Sequence, residues 1–211
     1  MNDLLDRLAD DATPVRRVNA ALFVTLFGGG FIASLLMVIG FQGVRPDLLA
    51  AGGTAIFAWK LLACASVAAL SAILLMKLGK PGQAPPMRGV SVAGLALLVF
   101  ALPFAAALIA EPAAQAAVVT RGSWVLSCLT GIAMATSPLW IMALIWLKRS
   151  APTDIEQASW AAGLASGSAG ATAFVLHCPF DQVAYVGLWY LAAILGIAAI
   201  SRLVLPRLIR W

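Results

Sequence analysis

Long apolar stretches separated by short runs of polar and turn-forming residues set the pattern of this chain. They cover about residues 20–41, 56–76, 90–110, 123–147, 155–176 and 183–205. Each is long enough to cross a hydrocarbon core about 30 Å thick at about 1.5 Å per helical residue. The breaks carry turn chemistry, as in Arg45-Pro46-Asp47 and Lys80-Pro81-Gly82-Gln83-Ala84-Pro85-Pro86. A span without water must pair its own backbone groups, which a helix does within one segment. The pattern therefore predicts an all-α membrane protein, a bundle of six transmembrane helices with short loops. It divides into a cytoplasmic segment 1–19, a transmembrane domain 20–205 and a cytoplasmic tail 206–211.

Composition supports the bilayer as solvent. Of 211 residues 62% are hydrophobic and 11% charged, with a mean hydropathy of +0.96. A soluble domain averages about 25% charged residues, and this chain has too little polar surface to cover a core in water. Six spans leave no room for a second folded domain.

The formal charge of +5 would suit nucleic acid in a soluble protein, but here it reports topology. With the N-terminus inside, the inner segments hold Arg7, Arg16, Arg17, Lys77, Lys80, Arg88, Lys148, Arg149, Arg202, Arg207 and Arg210. The outer loops hold only Arg45 and Arg121, so eleven stand against two. Both termini are thus expected in the cytoplasm. Trp59, Trp124 and Trp189 fall near outer ends and Trp146, Trp160 and Trp211 near inner ends, as interfacial aromatics do; Trp140 lies deeper. The first 19 residues lack the basic-then-apolar order of a cleavable signal, so the first span is expected to stay as an anchor.

Few polar groups enter the spans. Lys60 is the clear intramembrane charge, about one turn from the outer end of its span, and is expected to snorkel outward. Gly163, Ser166, Gly167, Ser168, Gly170 and Ala171 form a small-residue run suited to close helix packing. Pro138 is expected to bend the fourth span. Catalytic constellations are missing. His177 is the single histidine, no carboxylates pair inside the spans, and Gly28-Gly29-Gly30 lies in a span with no Lys-Ser/Thr after it. No polar midplane path or matched pair of broken helices marks a transporter.

Two features carry candidate chemistry. The N-terminal segment places Leu4, Leu5 and Leu8 on one helical face, with Asp3 as cap, Asp6, Arg7, Asp10 and Asp11 mostly opposite, and Pro14 as terminator. Such a segment either folds onto a partner groove or serves as a solvated lead-in to the first span. The second feature is the cysteines, which form no C-x-x-C and hence no ribbon-type zinc framework. Cys178 falls in the last outer loop beside His177, with Asp181 near, and Cys128 about one turn below the outer end of the fourth span. Both lie in the outer, oxidising layer. Two nearby thiols there can bind a thiophilic metal or oxidise to a disulfide, and His177 or Asp181 could complete a metal site. Cys64, deeper, reads as a small buried apolar residue.

These residues resemble a known family. Asp-Leu-Leu-Asp-Arg-Leu at 3–8, Pro14-Val15-Arg16-Arg17, Arg45-Pro46-Asp47-Leu48, Phe57-Ala58-Trp59-Lys60, Lys80-Pro81-Gly82, His177-Cys178-Pro179, Trp189-Tyr190 and Arg210-Trp211 occur in the order and spacing of the NrsF-type membrane anti-sigma factors of proteobacteria. That resemblance implies an inner-membrane protein that sequesters an extracytoplasmic-function (ECF) sigma factor through its cytoplasmic N-terminus, here Asp3, Leu4, Leu5 and Leu8. It also implies sensing of heavy-metal or oxidant stress by outward cysteines, by position Cys128 and Cys178. The His-x-x-x-Cys-x-x-Cys domain of zinc-containing anti-sigma factors is missing, so the basic loops 77–88 and 148–154 are candidates to help hold the partner. No enzymatic turnover, resident cofactor or direct nucleic-acid contact is expected; a heavy-metal ion enters only as a transient signal. A small transporter and a membrane thiol oxidoreductase are the alternatives.

Overall fold

A computed structural model describes residues 19–80, 89–120, 122–150 and 152–209. The N-terminal segment with Asp3, Leu4, Leu5 and Leu8, the stretch from Pro81 to Arg88, and the closing Arg210-Trp211 lie outside the described residues.

Among the described residues eight α-helices follow in chain order: α1 Ala20–Met37, α2 Leu48–Ala51, α3 Ala55–Leu78, α4 Gly89–Ala110, α5 Pro112–Val119, α6 Gly122–Arg149, α7 Ile155–Phe174 and α8 Val183–Leu208. The described residues are otherwise turns and loops, apart from a π-helical turn, Val38–Gln42, that continues α1. Local chemistry sets several starts. Asn19 Oδ1 accepts from Leu22 N at 2.8 Å, Thr54 Oγ1 from Phe57 N at 3.3 Å, and Asp154 Oδ1 from Gln157 N at 2.9 Å. Each satisfies an amide that the first helical turn leaves open. Pro112 opens α5, where a missing N–H does no harm. This short helix occupies a connection that sequence patterning reads as loop.

Among the described residues five helical segments are long and apolar enough to cross a membrane: Ala20–Gln42, Ala55–Leu78, Val90–Ala110, Trp124–Arg149 and Val183–Leu208. The protein is membrane-embedded on this evidence. Its outward side chains agree, since Val24, Leu36, Leu62, Leu102 and Ile141 are all at least half exposed, where a bilayer would meet them.

The fifth expected span, α7, is a helix of suitable length but differs in composition and place. It packs against α1, α3, α4, α6 and α8, and fifteen of its twenty residues are buried. Enclosed by protein, it needs small side chains rather than lipid-loving ones, so alanine, glycine and serine replace the leucine of the outer helices. Ser166 and Ser168 return their hydroxyls to the carbonyls of Ala162 and Leu164, which removes the need for partners elsewhere.

The small-residue run of α7 is a packing device. A Cβ at Gly163 would stand 2.6 Å from Ala198 Cα and 2.7 Å from Ser201 Cβ on α8. Backbone cannot yield as a flexible side chain can. Trp140, the tryptophan that sits deep, donates its indole N–H to Ser201 Oγ at 2.9 Å and so ties α6 to the same level of α8. Gly196, on α8 itself, has nothing within 4 Å of its would-be Cβ. Gly163→Ala is therefore expected to destabilise the bundle by about 1–3 kcal/mol, while Gly196→Ala is neutral or better. Thermal denaturation in detergent micelles measures the contrast; equal effects at the two glycines would refute the close approach.

Candidate functional site

The site lies at the bundle end that charge patterning assigns to the outside, and it begins with a change of direction. After the π-helical turn, Gly43 adopts φ +79°, a left-handed conformation open to glycine, and swings the chain toward the α7–α8 loop. Arg45 follows, only 5% exposed although it sits in a loop. Its backbone N–H donates to Leu176 O at 3.0 Å, and its Nη1 to Cys178 O at 3.1 Å. Nε and Nη2 reach Asp47 Oδ1 and Oδ2 at 2.7 and 2.8 Å, and Nη2 also reaches Asp181 Oδ2 at 2.8 Å. Pairing with Asp47 first, then Asp181, raises the Arg45 pKa further above its ordinary value, and the same contact holds the Asp47 carboxyl below its usual range.

Lys60 approaches the loop from below. Its side chain is wholly buried, and Nζ donates to Cys178 O at 3.1 Å, Phe180 O at 3.0 Å and Asp181 Oδ1 at 3.3 Å. The Tyr190 ring stands 5.3 Å from the ammonium. Snorkelling is thus corrected: the lysine does reach outward, but the 178–181 loop closes over it and supplies the oxygens that water would have given. Burying an ammonium this far from solvent is costly unless such partners replace its hydration.

Cys178 sits in that loop, 2% exposed, and Cys128 on α6 at 3%. The structure brings these two near enough to interact, and both thiols are free; the Cys178 thiol itself donates to Phe180 O at 3.9 Å. The neighbouring Cys128 thiol first, with the Lys60 ammonium and Tyr190 after it, holds the Cys178 thiol below the usual thiol range against the opposing effect of burial. Cys64, one helical turn beyond Lys60 on α3, is also fully buried and near enough to interact electrostatically with Lys60 and Cys178.

The four-residue metal set of Cys128, Cys178, His177 and Asp181 is not assembled. His177 Nδ1 donates to Gly43 O at 3.0 Å, and Asp181 is taken by Arg45 and Lys60. Among the described residues no group of three or more His, Cys, Asp or Glu side chains is placed to hold a metal ion. What remains of the set is a pair of free, buried thiols, Cys128 and Cys178, close to one another.

Sequence reasoning missed Arg45 as a site residue and underrated Lys60 and Tyr190. The signal was present in Arg45-Pro46-Asp47, where an arginine and an aspartate two residues apart flank a proline. The pair reads as an ordinary charged turn until the loop at 178–181 is folded over it.

A family model described as "Negative regulator of sigma F" matches residues 8–211. A probable anti-sigma-F factor NrsF from Azospira oryzae is 31% identical over 215 residues, covering 99% of this chain and 98% of its own. The anti-sigma-F factor NrsF of Caulobacter vibrioides is 31% identical over 218 residues, covering 100% and 99% respectively. No solved structure matches.

Proposed function

We propose that this chain, which belongs to the NrsF family of negative regulators of sigma F, is a six-span inner-membrane anti-sigma factor whose thiol pair controls release of its partner. The family is regulatory rather than enzymatic. The partner in this reading is an ECF sigma factor, held by the cytoplasmic N-terminal segment and so kept from RNA polymerase. Six spans with both termini inside rest on the eleven-to-two distribution of basic residues, with α7 as a protein-enclosed sixth span.

The observation that carries the release mechanism is the meeting of Cys128 and Cys178 under one clamped loop. A thiophilic metal ion bridging both sulfurs would displace their protons. An oxidant would instead take two electrons from the pair, releasing two protons, and leave a disulfide. Either event ties α6 to the α7–α8 loop. Release then requires a bundle with two packings that bind the sigma factor unequally.

Deleting residues 2–12 tests the holding role: sigma-dependent transcription is expected to become constitutive. Leu4→Asp, Leu5→Asp or Leu8→Asp should weaken pull-down of the sigma factor without loss of membrane insertion. An unpaired carboxylate in an apolar interface costs several kcal/mol, roughly 2–7 on transfer scales for polar groups. Undiminished binding in both experiments would move the binding site to the inner basic loops.

A further inference from the structure

The α7–α8 loop is fastened almost residue by residue, and its hydrogen bonds and ion pairs to other elements go to the same two, while Phe180 packs edge-on against Trp124 of α6. Leu176 O accepts from the Arg45 backbone, His177 donates to Gly43, and Cys178 O accepts from both Arg45 Nη1 and Lys60 Nζ. Phe180 O and the Asp181 carboxylate then bind Lys60, and Asp181 also binds Arg45. The fasteners belong to the α1–α2 connection and to α3. Cys128 belongs to neither; it stands on α6. Two buried cations thus meet on the one peptide oxygen of the residue whose thiol must face α6, while Pro179 restricts the backbone next to it.

We propose that Lys60 and Arg45 are positioning residues for the thiol pair: by holding the Cys178 carbonyl from one side, they hold its sulfur toward Cys128 on the other. The inference rests on the sensing role proposed above and names the residues that make bridging fast. Its basis is effective concentration. A loop free to turn its cysteine in several directions presents the sulfur to Cys128 only part of the time, whereas a fixed carbonyl leaves one rotation to search. Lys60 suits the task because it is itself fixed, packed on Tyr190 and without solvent to escape to. Arg45 suits it because Asp47 holds its guanidinium in a two-point grip, leaving Nη1 aimed at the loop.

The test is made on the full chain in membrane vesicles, in a Cys64→Ala background that leaves only the pair. The probe is an azodicarboxamide oxidant, which accepts two electrons and two protons from two thiols as the disulfide forms. Lys60→Met, close in size but uncharged, is expected to slow Cys128–Cys178 bridging at least tenfold. It should lower the equilibrium against glutathione by a similar factor. Lys60→Arg, which keeps a cation within reach of the same carbonyls, should stay within threefold of the parent. Gly163→Ala serves as the structural control, since it loosens the bundle far from the loop, and it should bridge at the parental rate. Arg45→Lys keeps the charge but cannot serve Asp47 and Cys178 O together; a threefold loss is expected, and it decides the matter if Lys60→Met does not accumulate.

Parental bridging in Lys60→Met and Arg45→Lys overturns the inference. So does slowing that Lys60→Arg fails to rescue or that Gly163→Ala reproduces. Bridging is read on the protein itself, so the result stands apart from whether bridging releases a sigma factor; transcription in Cys178→Ser cells addresses that separately.

Discussion

Serine in place of Cys178 or Cys128 is expected to abolish induction by thiophilic metals and by thiol oxidants while repression stays intact. The substitution nearly preserves volume and keeps a hydroxyl that can donate where the thiol did. What it removes is the soft ligand and the capacity to form a disulfide. Each single change should suffice, because the proposed switch is a bridge and a bridge with one end does nothing. Both positions are almost fully buried, so a modest stability loss is expected from placing a hydroxyl there. Repression in unstressed cells is the internal control that the bundle still folds. A reporter under sigma control, followed with and without metal, measures the outcome. Normal induction in either serine variant would return both cysteines to the role of small packing residues and leave the family's negative regulation without the proposed trigger.

Much of the fold could be read from the chain, and the reasons are specific. Helix positions follow from hydropathy because lipid forces every backbone group into internal pairing, and caps such as Asn19, Thr54 and Asp154 punctuate them. The small-residue run of α7 announced close packing. What it did not announce is that α7 is the hub against which the other long helices pack, since composition gives proximity but not neighbours. The same limit governs the site. Cys128 and Cys178 could be placed in one layer from topology, but their partners come from tertiary folding. Arg45 and Lys60 are far from Cys178 in sequence, and a basic residue near a span end reads as a topology marker by default. His177 and Asp181 looked like ligands because they neighbour a cysteine. The fold turns the histidine to a backbone carbonyl and the aspartate to two cations, which a one-dimensional reading has no means to foresee.

The balance of charge in the clamp gives the second large effect. Arg45 and Lys60 face Asp47 and Asp181, and Asp181 is the carboxylate that both cations share. Asp181→Ala leaves Lys60 in a buried site with two carbonyl oxygens and no counter-charge. Breaking a buried pair from one side typically costs about 3–5 kcal/mol; with the Asp181 side chain 24% exposed, the lower end of about 3 kcal/mol is expected. The loss should fall on the α7–α8 loop, since that is where the ammonium would tear away from its carbonyls. Asp181→Asn, which keeps an acceptor for Lys60 without the charge, should sit between alanine and the parent. Adding Lys60→Met to Asp181→Ala removes the uncompensated charge along with its missing partner. The double variant is therefore expected to be more stable than Asp181→Ala alone, which is coupling rather than addition. Thermal unfolding of the four proteins in one detergent supplies the cycle. If the two single losses simply sum, the buried ammonium does not depend on Asp181, and the carbonyls of Cys178 and Phe180 suffice to hold it.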